Sequence, residues 1–116
     1  MYFRLKSNIQ SIATSAIDRV KLLRPVTFNY KTVEGTIFTG DDVLHEGFIA
    51  DELQAVIPSA VNGEKNAMTK EGTIQPQTVN DMPIISVLTK AVQEQQEIIE
   101  QQQQQIDELI KLVQQK

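Results

Sequence analysis

From Ile85 to Val113 the apolar residues recur at alternating spacings of three and four. Ile85, Leu88, Val92, Gln95, Ile99, Gln102, Ile106, Leu109 and Val113 fall in one heptad register. One set (Ile85, Val92, Ile99, Ile106, Val113) is β-branched throughout, and the other reads Leu88, Gln95, Gln102, Leu109, which is the a/d pattern of a supercoiled seam. A lone helix would leave this narrow stripe in water, whereas burying its aliphatic side chains is worth about 1.5–3 kcal/mol each before ordering costs. The pattern predicts a helix that associates with other chains. β-branched a with Leu at d leans toward two strands in simple parallel coils, so the pattern alone does not deliver a trimer. Gln95 and Gln102 place polar amides in the seam, where they cost stability and set register or copy number. The competing readings are a single amphipathic helix folded back on its own domain and a glutamine-rich disordered tail through Gln101–Gln105. Isoleucines in register on both sides of that run, and Asp107 four residues before Lys111, favour the helix.

Upstream, Phe3 to Ile12 reads as an extended lead-in with alternating small apolar positions. Thr14 or Ser15 then caps a short helix from Ala16 to Leu23, with Ser15 and Asp18 forming a weak capping-box pattern. Pro25 ends that helix by disfavouring helical geometry at Arg24. Val26, Phe28 and Tyr30 alternate with Thr27 and Asn29 as a half-buried strand. Thr36 to Phe38, bracketed by Glu34-Gly35 and Gly40-Asp41-Asp42, reads as the returning arm of a long hairpin. Glu46 to Ile49 is a second strand running into a helix at Ala50 or Asp51, with Leu53, Val56 and Ile57 on its inner face and Pro58 as its stop. Asp51 and Glu52 suit the first turn of that helix. The segment 62–78 is polar apart from Met68 and Ile74 and is expected to be an exposed excursion. Asp81 is then the cap of the long helix, with Pro83 in its first turn. The fold class is α+β: a small mixed domain over 1–80 with short helices and a few strands, followed by a coiled-coil helix over 81–116.

Composition narrows the function. Of 116 residues about 80 remain once the helix is set aside, near the low end of what one core stabilises, so assembly supplies missing burial. A net charge of −4 without a Lys/Arg cluster argues against nucleic acid as a partner. The apolar runs fall far short of the roughly 20 residues that span a bilayer, and no secretion signal follows Met1, so no membrane is expected either. With no cysteine and only His45, thiolate zinc sites, a Cys nucleophile and a Ser-His-Asp triad are disfavoured. His45-Glu46 beside Asp41-Asp42 reads as a solvated turn and not a metal site, and the glycines form no phosphate-cradling spacing. No metal and no cofactor are expected. Phe28, Tyr30 and Phe48 read as packing residues.

The order of FRLKSNI, LLRPVTFNY, HEGFIADELQAVIP and MPIISVLTKAVQEQQEIIEQQ resembles the C-terminal intramolecular chaperone domain of phage tailspikes, tail fibres and endosialidases, the self-cleaving peptidase S74 group. The likeness runs over essentially the whole chain. It is most specific at Gly47-Phe48-Ile49-Ala50-x-Glu52-Leu53 up to Pro58, where Asp51 stands in place of the usual glutamine, and extends to Leu88, Lys90, Ala91 and Gln93-Glu94. The resemblance implies a homotrimer at the end of a fibrous protein that brings three upstream β-helical or fibre segments of the same polypeptide into register and is then cut away. Intertwined β-structure nucleates slowly and exposes edges that aggregate, and a trimer formed first raises the effective concentration of the strands. It also implies action in the host cytoplasm during virion assembly, with release from the mature fibre.

Cleavage in this group resembles a Ser-Asp-x-x-x-Lys pattern at the first residues of the domain, the lysine serving as base once burial lets it lose its proton. Lys6 matches the lysine, and Arg4 and Ile9 fit its surroundings. Met1 holds the serine position and Tyr2 the aspartate position, so the nucleophile is absent: an added initiating methionine at the processed end, a removed serine, or a member that is no peptidase. Two other readings share the pattern, a permanent coiled-coil trimerisation tip and the self-cleaving domain of a membrane-tethered transcription factor.

Overall fold

The computed structural model describes residues 3–13 and 15–115. In chain order these form a 3-10 turn at Phe3–Leu5, helix α1 (Ala16–Lys21), strand β1 (Val26–Phe28), strand β2 (His45–Gly47), helix α2 (Ala50–Val56), a 3-10 turn at Pro58–Ala60, strands β3 (Val61–Asn62) and β4 (Thr78–Val79), and helix α3 (Asp81–Gln114). The fold is mixed α and β, with short strands and one long C-terminal helix. Two compact units make up the chain: one joins the segment up to Val20 to the helix from Ser86 onward, and the other spans Lys21–Ile85.

In the second unit, β1 and β2 pair antiparallel with Val26 opposite Gly47, Thr27 opposite Glu46 and Phe28 opposite His45. Beyond Phe28 the ladder gives way to a loose loop. Tyr30 O accepts from Asp41 N at 3.2 Å and Phe38 O from Val33 N at 3.0 Å. The step from Phe28 to Tyr30 thus faces the longer step from Asp41 to His45. The surplus residues bulge, and the Asn29 side-chain amide donates to the Val43 carbonyl at 2.6 Å, satisfying a group the ladder leaves out. The expected returning strand at Thr36–Phe38 is therefore part of the loop. Its hydroxyls take over the local hydrogen bonding, with Thr36 Oγ1 donating to Val33 O at 2.7 Å and accepting from Phe38 N at 3.2 Å. The partner of β1 lies further on, at His45–Gly47.

Ile49 precedes α2 without a side-chain cap, and Asp51 and Glu52 sit in its first turn. Pro58 stops it as expected, and Ile57 N closes the end on Leu53 O at 2.7 Å. Leu53, Ile57, Ala60, Val61 and Ile84 are this unit's buried apolar residues, with α2 packed on the turn Pro58–Ala60 and on β3. Val56, expected on the inner face, is half-buried. The polar excursion is exposed, yet it is closed at its base by β3 and β4, with Val61 opposite Val79 and Asn62 opposite Thr78, and again by a bridge between Met68 and Ile74. Gln77 donates to Gln54 Oε1 at 3.0 Å, and Gln54 in turn donates to Gly63 O at 3.0 Å, tying the excursion to α2.

Several element boundaries differ from the sequence expectation: β1 stops at Phe28 and not Tyr30, β2 is His45–Gly47 and not Glu46–Ile49, and the lead-in expected to be extended opens with the 3-10 turn Phe3–Leu5. α1 ends at Lys21 and not Leu23, because Pro25 has no N–H to offer the Lys21 carbonyl and biases Arg24 away from helical geometry. At the start of α3 the cap is Asn80, whose Oδ1 accepts from Met82 N at 3.4 Å; Asp81 is already the first helical residue. Asn80 is held there by donating its own N–H to Ala60 O at 2.7 Å. Ser15 caps α1 by accepting from Asp18 N at 3.4 Å, while Thr14, the alternative cap, lies outside the described residues.

Candidate assembly face and cleavage segment

Helix α3 runs unbroken through Gln101–Gln105 to Gln114, so the glutamine run is helical and the tail reading fails. Ile84, Val87 and Ala91 are buried, spaced by three and four. Each is followed directly by a seam residue: Ile85, Leu88 and Val92. One residue is about 100° of helix rotation, so the buried stripe is offset from the heptad stripe and flanks it, with Ile98 and Leu112 continuing the line of Ile84 and Ala91 at intervals of seven. All the aliphatic seam residues, Ile85, Leu88, Val92, Ile99, Ile106, Leu109 and Val113, are exposed, from 40% at Leu88 to 71% at Val113. Gln95 and Gln102 are exposed between them. The heptad stripe is therefore not folded back onto the rest of the chain.

The stripe is wider than the heptad positions suggest. Ile98, Ile110 and Leu112 are exposed beside it, and Ile106, Leu109, Ile110 and Val113 line one shallow apolar hollow with Gln114. Sequence reasoning assigned one face and missed the second. The signal was present in the apolar doublets Ile84-Ile85, Val87-Leu88 and Ala91-Val92, which no single narrow stripe requires.

At the end of the buried stripe, Glu94 is half-buried and its carboxylate accepts from Ile17 N at 2.9 Å and Ala16 N at 3.4 Å. These are the first amides of α1, which have no partner inside their own helix, and the carboxylate also meets the positive end of the helix dipole. Ala16 beside it is fully buried. Nothing in the local sequence around Glu94 marks this role, since its partners lie at the other end of the chain.

Further ion pairs join the motif segments. Arg24 donates through Nε to Glu52 Oε1 at 2.9 Å and through Nη2 to Oε2 at 2.6 Å. This two-point contact raises the Arg24 pKa and lowers that of Glu52, in each case chiefly through the side-chain hydrogen bond and then through charge attraction. His45 Nε2 lies 3.0 Å from Asp41 Oδ2, and this hydrogen bond holds the Asp41 carboxyl below the usual range. The His45 ring stacks on Phe28 with centroids 5.4 Å apart and meets Tyr30 edge-on at 4.7 Å. Tyr30 is exposed, so it shields this cluster from outside and does not belong to the core. Among the described residues no three of His, Asp and Glu come together as a metal site, and no helix is long and apolar enough to cross a membrane.

Lys6 follows the 3-10 turn Phe3–Leu5 and is exposed, as are Arg4 and Ile9. Met1 and Tyr2, at the serine and aspartate positions, lie outside the described residues.

Residues 3–62 match the model of the peptidase S74 family, the chaperone of endosialidase, and the chain belongs to that family. The match takes in FRLKSNI, LLRPVTFNY and HEGFIADELQAVIP, including both partners of the Arg24–Glu52 pair, and ends before α3. Membership supports a chaperone role. No curated protein matches the chain.

Proposed function

We propose that this chain is an intramolecular chaperone that trimerises through α3, brings an upstream phage tail-fibre or tailspike segment of the same polypeptide into register for β-helical or fibre folding, and is released by autoproteolysis where a serine stands at the position Met1 holds here, the centre in this sequence being incomplete. The observation that carries the reading is the pair of faces on α3: one stripe is buried within the chain and a second, heptad-spaced one is left in water. The apolar flanks at Ile98, Ile110 and Leu112 broaden the second stripe beyond a strict a/d seam, the composition of helices packed in bundles of more than two. This counters the two-strand preference of β-branched a with Leu d. Polar excursions such as 62–78 and the loop 33–42 reach outward and are available to the client. The work takes place in the host cytoplasm during virion assembly.

Sedimentation equilibrium of the isolated chain at micromolar concentration tests the reading, with three copies expected. A stable monomer overturns it, and a dimer gives precedence to the a/d preference. Attached behind its natural upstream segment, the domain should raise the yield of soluble, detergent-resistant trimers; its removal after fibre formation should leave the fibre intact. Collapse of the mature fibre on removal would make the domain a permanent clamp instead.

A further inference from the structure

Within the unit that joins the N-terminal segment to α3, the start of α1 is hydrogen-bonded to a carboxylate of the long helix. Glu94 accepts the Ile17 amide at 2.9 Å and the Ala16 amide at 3.4 Å, across a separation of more than seventy residues in sequence. Beside this contact Ala16 is fully buried, and Ala91, one turn earlier on α3, is 4% exposed. An alanine in each place leaves little side chain to interlock at this point, so the position-specific contact here is the hydrogen-bonded carboxylate, whose partners are fixed amides at the start of α1. Glu94 also directly precedes Gln95, a polar layer of the heptad stripe.

From this geometry we infer that Glu94 is the positioning residue that fixes where along α3 the N-terminal segment is held. In the trimer proposed above, on which this consequence rests, symmetry puts the three Gln95 residues at one height. The three Glu94 carboxylates, and so the three α1 starts, then share one height too. Helix register is thereby passed to the upstream chains. Glu94 itself lies outside the heptad stripe, so its replacement separates positioning from association.

The test uses the full chain as Glu94→Ala and Glu94→Gln. Amide exchange at Ala16 and Ile17 should accelerate roughly ten- to a hundredfold in the alanine variant, and less in the glutamine variant, which keeps one acceptor oxygen. Spin labels at Ser11→Cys and Gln101→Cys, diluted into unlabelled chain so that only distances within one chain are read, should give one narrow distance in the parent and a broad one in Glu94→Ala. Helix content and the oligomeric state in sedimentation should be unchanged. Unaltered exchange and an unaltered label distance in Glu94→Ala would overturn the proposal, as would a loss of helix content in both variants, which would mark Glu94 as a general stability residue. The label distance is measured within one chain, so a monomeric parent would remove the trimer reading while leaving Glu94's positioning role to be decided on its own.

Discussion

Val87 and Leu88 are consecutive residues of α3, yet Val87 is 3% exposed and Leu88 40%. The helix therefore has one buried and one exposed apolar side, and substitutions on the two should act differently. Val87→Ala removes buried methyl groups and should lower the unfolding free energy of the chain by about 1–3 kcal/mol in urea titrations. Replacing both Ile99 and Ile106 by Asp should leave the fold of residues 21–85 intact, read from its amide resonances. It should abolish association in sedimentation, since several carboxylates gathered in one buried layer cannot all stay ionised. Equal effects of the two changes on both measurements would mean that the faces are not independent.

Gly40 is a position where only glycine fits. A Cβ there would lie 2.8 Å from the Tyr30 carbonyl oxygen and 2.9 Å from Thr32 N, both backbone atoms that cannot swing aside. Gly40→Ala should open the loop and break the Gly40 N–H bond to Thr32 Oγ1 and the Asp41 N–H bond to Tyr30 O. A loss of about 1–3 kcal/mol is expected, checked by urea unfolding and by faster exchange at Asp41. At Gly35, with φ +78° and nothing within 4 Å of a built Cβ, alanine should cost only the backbone strain of about 1 kcal/mol.

The heptad stripe, α2 with its proline stop and the β1–β2 pairing segments were legible because each is a local pattern: spacing of apolar residues, a breaker, an alternation. Glu94 and the Arg24–Glu52 pair were not, because each joins residues that only the folded chain brings together. The loop at Thr36–Phe38 misled for a different reason. Its short apolar run has strand composition, but Gly35 at positive φ and the Thr36 hydroxyl bonds bend the backbone locally, and the ladder bonds of β1 go to His45–Gly47. The cap of α3 was displaced by one residue because Asn80 and Asp81 are both good caps, and the Asn80 N–H bond to Ala60 O settles which residue stays outside the helix.

Acid should loosen the hairpin and the α2 attachment together. Asp41 and Glu52 both titrate below the ordinary carboxylate range, owing first to their hydrogen bonds with His45 and Arg24. The unfolded chain, with ordinary carboxylates, therefore binds more protons in the acid range. The stability these pairs contribute is full above the ordinary carboxylate pKa and is lost as pH falls through the lowered folded values. Both pairs are exposed, so the contribution is modest and shrinks with added salt. Carboxyl carbon shifts followed by NMR should report the two depressed titrations. Glu52→Gln should flatten the dependence of the urea midpoint on pH in the acid range, and an unchanged slope would remove the pair from the account.

Self-cleavage gives the last test, and it depends on what covers Lys6. A lysine acts as a base only once desolvation strips its proton, and Lys6 is exposed in the single chain. For the cleavage proposed above, neighbouring copies or upstream residues would supply the cover, which predicts that cutting follows assembly. A longer chain carrying its natural upstream segment and Met1→Ser should cleave near position 1 with a rate that rises as trimers form; Tyr2→Asp is added in a second variant to restore the aspartate of the pattern. Lys6→Arg in either background should stop cleavage while leaving the trimer intact, because a guanidinium stays protonated and cannot accept the hydroxyl proton. Mass spectrometry of the products reads the outcome. Equal cleavage with arginine at position 6 would exclude the serine–lysine mechanism. No cleavage in either serine variant would leave the chain as an assembly module whose first residues carry the pattern without its chemistry.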